Sequence, residues 1–245
     1  RYHASTVSDS GVKLIVDILT NEISIPVDKL FPFMDLLRGC SLHSNFTERL
    51  CTMYRLDDVL STLMEVALNV DQVKTAHTFL FLQVICNFLV SSTSRDATLD
   101  FISKNQSRLL GSAGNCFSEH KHKHVLNSYA TLLLNVSVHA FNEHNFGGDK
   151  TAIMFSQDVV DRALNLMKHV VSKANSVSDN AKKMKSMLGI AKRCYVAIGT
   201  IRVRASVNTD TTVLTDACNE IKKLDSSWSQ FYNMGEKCVA ERERK

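Results

Sequence analysis

Residues 30–42 read LFPFMDLLRGCSL, a stretch that combines a helix start, an apolar face and one arginine among apolar neighbours. Proline lacks a backbone N–H and has φ fixed near the helical value, so Pro32 suits the first turn of a helix. Asp35 favours the same start, because a carboxylate near a helix N-terminus interacts well with the helix dipole. The sequence therefore predicts a helix from about Pro32, with Arg38 beside its apolar stripe. The predicted stripe comprises Phe33, Leu36, Leu37 and Leu42.

Arg38 can be interpreted in two ways from the sequence. A guanidinium among apolar neighbours is available for an anion brought by a ligand. The same side chain could instead form an ion pair with Asp35 or with a carboxylate of a neighbouring helix. Both interpretations stay open at this point.

The rest of the chain is helical in pattern. Both prolines lie near the N-terminus, and 44% of the 245 residues are hydrophobic, so a large all-α core is expected. Residues 76–90 lack a broad polar face, which is typical of a central helix. The predicted helices cover roughly 12–21, a segment from 32, 47–54, 57–68, 76–90, a segment from 94 or 96, 108–117, 121–141, 155–171, 179–205, 212–224 and 226–239.

Two apolar segments resemble one another. Aligning LQVICNFLV (82–90) with ATLLLNVSV (130–138) superposes Asn87 on Asn135, at about the spacing of an armadillo or HEAT repeat. In armadillo arrays such an asparagine lies on the concave surface and pairs with the backbone of an extended peptide. The alternative is an asparagine satisfied by a neighbouring loop inside the protein.

Composition excludes several classes of function. A net charge of +4 and a pI near 8.6 are too mild for a protein that binds nucleic acid through its phosphates. No apolar stretch is long enough to span a membrane. The seven cysteines include no CxxC pair, which indicates free thiols and a cytoplasmic or nuclear location. The chain is expected to be the C-terminal part of a longer protein, with residues 1–10 loosely ordered.

No pattern points to a metal, a cofactor or a catalytic group. His120, His122 and His124 are flanked by lysines and lack further ligands at metal-binding spacing, so a solvated helix start is favoured over zinc. The FGGDKT segment lacks the Gly-Lys-Ser/Thr order of a phosphate-binding loop. No Ser/His/Asp or Cys/His signature is present.

Four segments in order, LFPFMDLLR, LQVICNFLV, SYATLLLNVSV and AKRCYVAIGTI, resemble the PUL domain of the phospholipase-activating protein family. The resemblance covers nearly the whole chain, and it implies a single domain over 1–245 folded as an armadillo-like right-handed α-solenoid. It also implies a basic concave groove that binds the acidic, aromatic C-terminal tail of the valosin-containing AAA ATPase segregase, in ubiquitin-dependent protein degradation. It implies no catalysis, and it implies that other domains of the full-length chain bind ubiquitin.

The resemblance also assigns the peptide-binding residues, which are expected to line one concave face. They are Arg38, Asn87, Asn135 and Arg193, with Lys192 in place of Arg193 if the register differs by one. The chain departs from the family pattern at Gly39-Cys40, where apolar residues usually follow the arginine, and at His139, where an aliphatic residue is expected.

Three classes of function remain open after this reasoning. The first is a peptide-binding adaptor with a concave groove. The second is a structural or dimerisation domain whose asparagines are satisfied inside the protein. The third is a hydrolase or a lipid-acting regulator, against which the lack of a basic amphipathic membrane-binding face argues.

Overall fold

The computed structural model describes residues 7–20, 25–26, 29–68, 75–111, 122–145, 155–177, 179–202 and 211–228. Within these ranges the chain forms eleven helices and no strand, as expected of an all-α helical-repeat solenoid, and the all-α prediction is confirmed. The helices are α1 (Asp9–Leu19), α2 (Phe31–Cys40), α3 (Ser44–Met53), α4 (Leu56–Leu68), α5 (Thr75–Val90), α6 (Ser92–Lys104), α7 (Gln106–Leu109), α8 (Lys123–Asn145), α9 (Gln157–Ser176), α10 (Ala181–Arg202) and α11 (Thr211–Leu224).

The chain forms two compact units, the N-terminal unit (Arg1–Val136) and the C-terminal unit (Ser137–Lys245). The boundary falls inside α8. That the whole chain behaves as one domain stays a prediction.

Helix α5 is the centre of the N-terminal unit. It packs on α2, α4 and α6, and its side chains are buried on nearly every side, as predicted for residues 76–90. The buried Thr78 hydroxyl of this helix donates to the Ala67 carbonyl at 2.9 Å. A helix without a polar face can exist in water only when neighbouring helices cover it.

Helix α2 starts where the sequence predicts, with Pro32 in its first turn. The face that it buries against α1 and α5 is different from the predicted stripe. Met34 and Leu37 are buried, whereas Leu36 is 49% exposed and Leu42 is 64% exposed, and Phe33 is half-buried. The predicted stripe is therefore wrong in part. Leu36 and Leu37 are adjacent, about 100° apart around the helix, so only one of them can lie at the centre of the buried face.

Two of the predicted helix starts are also displaced. Helix α3 begins at Ser44, and the Thr47 hydroxyl donates to the His43 carbonyl at 3.2 Å instead of capping a helix. Helix α6 begins at Ser92, and Ser94 donates to the Phe88 carbonyl at 2.7 Å. Both hydroxyls are buried and act as donors to carbonyl oxygens, a use that competes with capping.

The first helix begins inside the stretch expected to be loosely ordered. Ser8 caps α1 by accepting a hydrogen bond from the Gly11 N–H at 3.2 Å, and the Val7 N–H donates to Asn45 Oδ1 at 3.2 Å. Residues 1–6 lie outside the described residues.

In the C-terminal unit, α9 packs along α10, and α11 contacts both. Helix α9 buries Leu164, while Leu166, predicted to be buried, is half-buried. In α10 the predicted inward residues Leu188, Ala191, Ile198 and Ile201 are buried, and Met184 and Tyr195 are half-buried. The predicted segments 112–117, 203–205 and 229–239 lie outside the described residues.

Candidate functional site

Arg38 lies in the last turn of α2 and forms an ion pair with a residue of the same helix. Its Nε and Nη2 atoms are each 2.7 Å from Oδ1 of Asp35. The two side chains are 34% and 47% exposed, and pairs this open to water contribute only about 0–1 kcal/mol to stability. The third nitrogen, Nη1, makes no hydrogen bond with any residue that the structure describes. The guanidinium is thus paired, but weakly, and it keeps donors for another carboxylate.

An open hollow of about 480 Å³ lies on the outer face of α2. Its walls are Pro32, Asp35, Leu36, Arg38, Gly39, Cys40 and His43. Phe31 and Leu36, both on α2, are among the large apolar side chains exposed to solvent, and Leu42 follows the helix. This surface, which we call the α2 surface, therefore combines a guanidinium with accessible apolar groups.

Asn87 of α5 holds the end of α2. Its Nδ2 donates to the Arg38 carbonyl at 2.9 Å and to Ser41 Oγ at 3.0 Å. The Ser41 hydroxyl in turn donates to the same Arg38 carbonyl at 2.8 Å. The last carbonyls of a helix have no partner within the helix, so Asn87 and Ser41 satisfy one of them. The structure thus brings Asn87 and Arg38 together through the Arg38 backbone, while Asn87 Oδ1 makes no hydrogen bond with any residue in the described ranges.

Asn135 differs from Asn87 although the two align in sequence. It is half-buried on α8, and its side-chain amide makes no hydrogen bond with any described residue. An amide in this state has both its donor and its acceptor capacity available to a ligand.

Lys192 and Arg193 lie on α10, in the C-terminal unit. Lys192 Nζ is 2.5 Å from Asp225 Oδ2 and 5.1 Å from the centroid of the Trp228 ring. The Lys192 ammonium, with the Ser227 hydroxyl, lowers the pKa of Asp225 from 3.8 to about 2. Arg193 is half-buried and donates from Nη1 to the Gly189 carbonyl at 3.3 Å. We call Lys192, Asp225 and Trp228 the α10 clasp.

The N-terminal unit therefore contains Arg38, Asn87 and Asn135, and the C-terminal unit contains Lys192 and Arg193. That these residues line one concave face stays a prediction. Sequence reasoning missed the open hollow beside α2 and the hydrogen bonds of Ser41. The available signals were Gly39 and Ser41, which follow the LFPFMDLLR segment closely.

No group of three or more His, Cys, Asp or Glu residues that could hold a metal ion is found in the part of the chain that the structure describes. Burial raises the pKa of the Cys86 and Cys194 thiols to about 12, so neither is a thiolate at neutral pH. All five cysteines in the described ranges are free. Among the same residues, no helix combines the length and apolar character needed to cross a bilayer. His120 of the histidine cluster lies outside the described residues.

Comparison with curated proteins and with solved structures gave no match. Comparison with protein families gave a match: the model of the PUL domain, a protein-interaction domain, matches residues 2–236. The matched range includes residues of both compact units. The order of the four sequence segments and the all-helical fold agree with this match, and the chain belongs to the PUL domain family.

Proposed function

We propose that this PUL domain is a non-catalytic adaptor that binds the acidic C-terminal tail of the valosin-containing AAA ATPase segregase. The proposal places the domain in ubiquitin-dependent protein degradation in the cytoplasm and nucleus, with ubiquitin bound by other domains of the full-length protein. Membership of the PUL family supports a role in binding another protein. The α2 surface supports the particular partner.

The observation that carries the proposal is the state of Arg38. Its guanidinium is exposed at the edge of an open hollow, and its only carboxylate partner among the described residues is Asp35, one turn earlier on the same helix. A ligand carboxylate can replace Asp35 at small cost, because an exposed pair of this kind contributes little to stability. An arginine offers a planar fork to a carboxylate, which makes an acidic peptide a suitable ligand.

The two asparagines offer hydrogen bonds to the backbone of an extended peptide. Asn135 has its whole amide available, and Asn87 has its Oδ1 atom available. The backbone of an extended peptide has N–H and C=O groups that must be paired when water is excluded. Arg193 is proposed as a second cation for the tail. Lys192 is a weaker candidate, because Asp225 and Trp228 already hold its ammonium.

Calorimetry with a synthetic peptide of the segregase tail tests the proposal. We expect a Kd of about micromolar, because a short extended peptide loses much conformational freedom for a limited buried area. The control is a peptide of the same length in which every acidic residue is replaced by its amide. Absence of heat at millimolar peptide would rule out the adaptor function for this chain.

The second candidate function is a structural or dimerisation domain without a peptide groove. The α10 clasp and the two hydrogen bonds donated by Asn87 favour it, because both candidate residues have internal partners. Sedimentation analysis separates the candidates. A dimerisation domain would self-associate with increasing concentration and ignore the tail peptide, whereas the adaptor would bind the peptide as a monomer or as a complex of fixed size.

A further inference from the structure

The end of the hairpin formed by α9 and α10 carries a dense group of lysines. Residues 173–185 contain one carboxylate, that of Asp179, and four lysines: Lys173, Lys182, Lys183 and Lys185. The lysines belong to the last turn of α9 and the first turns of α10, so each lies within about 6 Å of a helix end along the axis. Because only residues 177–180 join the two helices, which pack along one another, all four lysines lie at one end of the hairpin. We call this end, residues 173–177 and 179–185, the lysine tip.

The positive charge of the lysine tip is not neutralised by the rest of the described chain. The ammonium groups of its four lysines form no ion pair and no hydrogen bond with any described residue. Glu220 of α11 accepts a hydrogen bond from Asn175 in the last turn of α9 at 3.4 Å, but Lys223 already binds it at 2.5 Å. Three of the four lysines are exposed, and Lys173 is half-buried. The tip therefore favours an anionic partner.

The composition of the tip favours an extended anionic surface over a single bound anion. A lysine ammonium is a hydrated point charge, whereas the planar guanidinium of arginine holds one carboxylate or phosphate through two hydrogen bonds. The tip has no arginine, and no Phe, Tyr or Trp lies between residues 170 and 194 to stack on nucleic acid bases. The half-buried Val177 and Met184 lie among the lysines in sequence and add some apolar area. A phospholipid surface suits such a tip, because its headgroups supply many negative charges and require no pocket.

We infer that the lysine tip binds the anionic face of a membrane, with its four lysines at the level of the phospholipid headgroups. The tip shares no residue with the proposed peptide site. No basic amphipathic face was evident in the sequence, because the lysines are divided between two helices. Each lysine close to an anionic bilayer strengthens binding by about fivefold, so the four together favour it over a neutral bilayer by roughly several hundredfold. Salt weakens this attraction by screening it.

Vesicle co-sedimentation without any peptide tests the inference. The vesicles contain phosphatidylcholine alone, or phosphatidylcholine with one third phosphatidylserine. The tip variant combines Lys182→Glu, Lys183→Glu and Lys185→Glu. The control variant makes the same change in net charge at three exposed lysines elsewhere that form no ion pair with a described residue, and it combines Lys13→Glu, Lys29→Glu and Lys123→Glu. Polyuridylic acid is the probe for binding to nucleic acid.

We expect the wild type to bind the phosphatidylserine vesicles at low salt and to be released as sodium chloride is added. The tip variant should bind them more than about a hundredfold more weakly, because three attractive charges become repulsive. The control variant should stay within about threefold of the wild type, because charges distant from the bilayer are screened. Thermal melts check that each variant is folded. If the tip variant does not fold, glutamine at the same three positions removes the charges without adding repulsion and should weaken binding by about a hundredfold.

Three outcomes would overturn the inference. Equal binding of the wild type to both kinds of vesicle would show that the tip does not recognise anionic lipid. Equal losses in the tip variant and the control variant would show that net charge alone governs binding. Binding of the wild type to polyuridylic acid without binding to phosphatidylserine vesicles would identify a nucleic-acid surface instead.

Discussion

Two cations that the sequence assigns to peptide binding, Arg38 on α2 and Lys192 on α10, each bind a carboxylate, but in different settings. Arg38 pairs with Asp35, three residues away on its own helix, and about a third to a half of each side chain is exposed. Lys192 pairs with Asp225, which is distant in sequence, and the two side chains are 24% and 26% exposed. The Lys192 ammonium also lies 5.1 Å from the centre of the buried Trp228 ring.

The comparison indicates how to separate a binding cation from a structural one. A local, exposed pair leaves the fold unchanged when a ligand replaces the internal carboxylate. A long-range pair beside a buried ring connects two segments, so opening it costs stability. On this criterion the α2 surface is suited to binding and the α10 clasp is suited to holding the C-terminal unit together.

The largest loss of stability is expected in α2, where a fully buried leucine, Leu37, follows a half-exposed one, Leu36. Leu37→Ala should lower the free energy of unfolding by about 2–5 kcal/mol, because Leu37 is fully buried and its removal leaves a cavity. Leu36→Ala is the matched control at the neighbouring, half-exposed position, where we expect a loss below about 1 kcal/mol. Urea denaturation followed by circular dichroism measures both. Equal losses would mean that α2 does not present Leu36 to solvent.

The comparison of the two ion pairs predicts a difference between two carboxylate substitutions. Asp225→Asn should lower the free energy of unfolding at neutral pH by about 1–2 kcal/mol, whereas Asp35→Asn should change it by less than about 1 kcal/mol. Trp228 is the single tryptophan of the chain, so its fluorescence reports directly on the clasp during denaturation. A loss in Asp35→Asn as large as that in Asp225→Asn would contradict the distinction between the two pairs.

The same clasp predicts a pH dependence. The pKa of Asp225 is lowered from 3.8 to about 2 in the folded protein, so its stabilising effect is complete above about pH 5. It is lost as pH falls through 4 towards 2, because the unfolded state then binds the proton first. The wild type should therefore lose about 1–2 kcal/mol more stability than Asp225→Asn over this interval. Parallel losses in the two proteins would show that Lys192 does not stabilise the ionised carboxylate.

Substitutions at the two aligned asparagines should have smaller effects, and we expect Asn87 to matter for stability and Asn135 for peptide affinity. Asn87→Ala removes two hydrogen bonds at the end of α2, for which we expect a loss of about 1 kcal/mol in stability relative to Asn135→Ala. Both changes replace asparagine with alanine in a helix, so the gain in helix propensity cancels in the comparison. Peptide affinity should fall in Asn135→Ala with the fold unaffected. Equal stability of the two variants would show that Asn87 does not hold α2.

The parts of the fold that follow from local pattern could be predicted from the sequence. The absence of proline after Pro32 and the helical spacing of apolar residues predict an all-α chain, and the uniform apolar character of residues 76–90 predicts a central helix. The start of α2 follows from the chemistry of Pro32, with Asp35 favouring the same start. The order of four short segments was enough to indicate the PUL family, which the family match confirms.

What the sequence could not give depends on contacts between distant residues. Leu36 and Leu37 are chemically alike, and only packing against α1 and α5 determines which is buried. Thr47 and Ser94 resemble helix caps, but buried carbonyl groups use their hydroxyls as donors. Asn87 and Asn135 align in sequence, yet Asn87 donates to the end of another helix, whereas the Asn135 amide makes no hydrogen bond with a described residue.

The most direct test of the account is the affinity of Arg38→Asp for the labelled tail peptide, measured beside its thermal melt. Arg55→Asp is the control, because Arg55 also forms an exposed pair with an aspartate three residues away and the change in net charge is the same. We predict that Arg38→Asp melts as wild type and binds the tail at least about tenfold to a hundredfold more weakly, since a charged contact is replaced by repulsion. Arg55→Asp should retain wild-type affinity. Wild-type affinity in Arg38→Asp, or loss of its folded structure, would contradict the assignment of Arg38 to the peptide site.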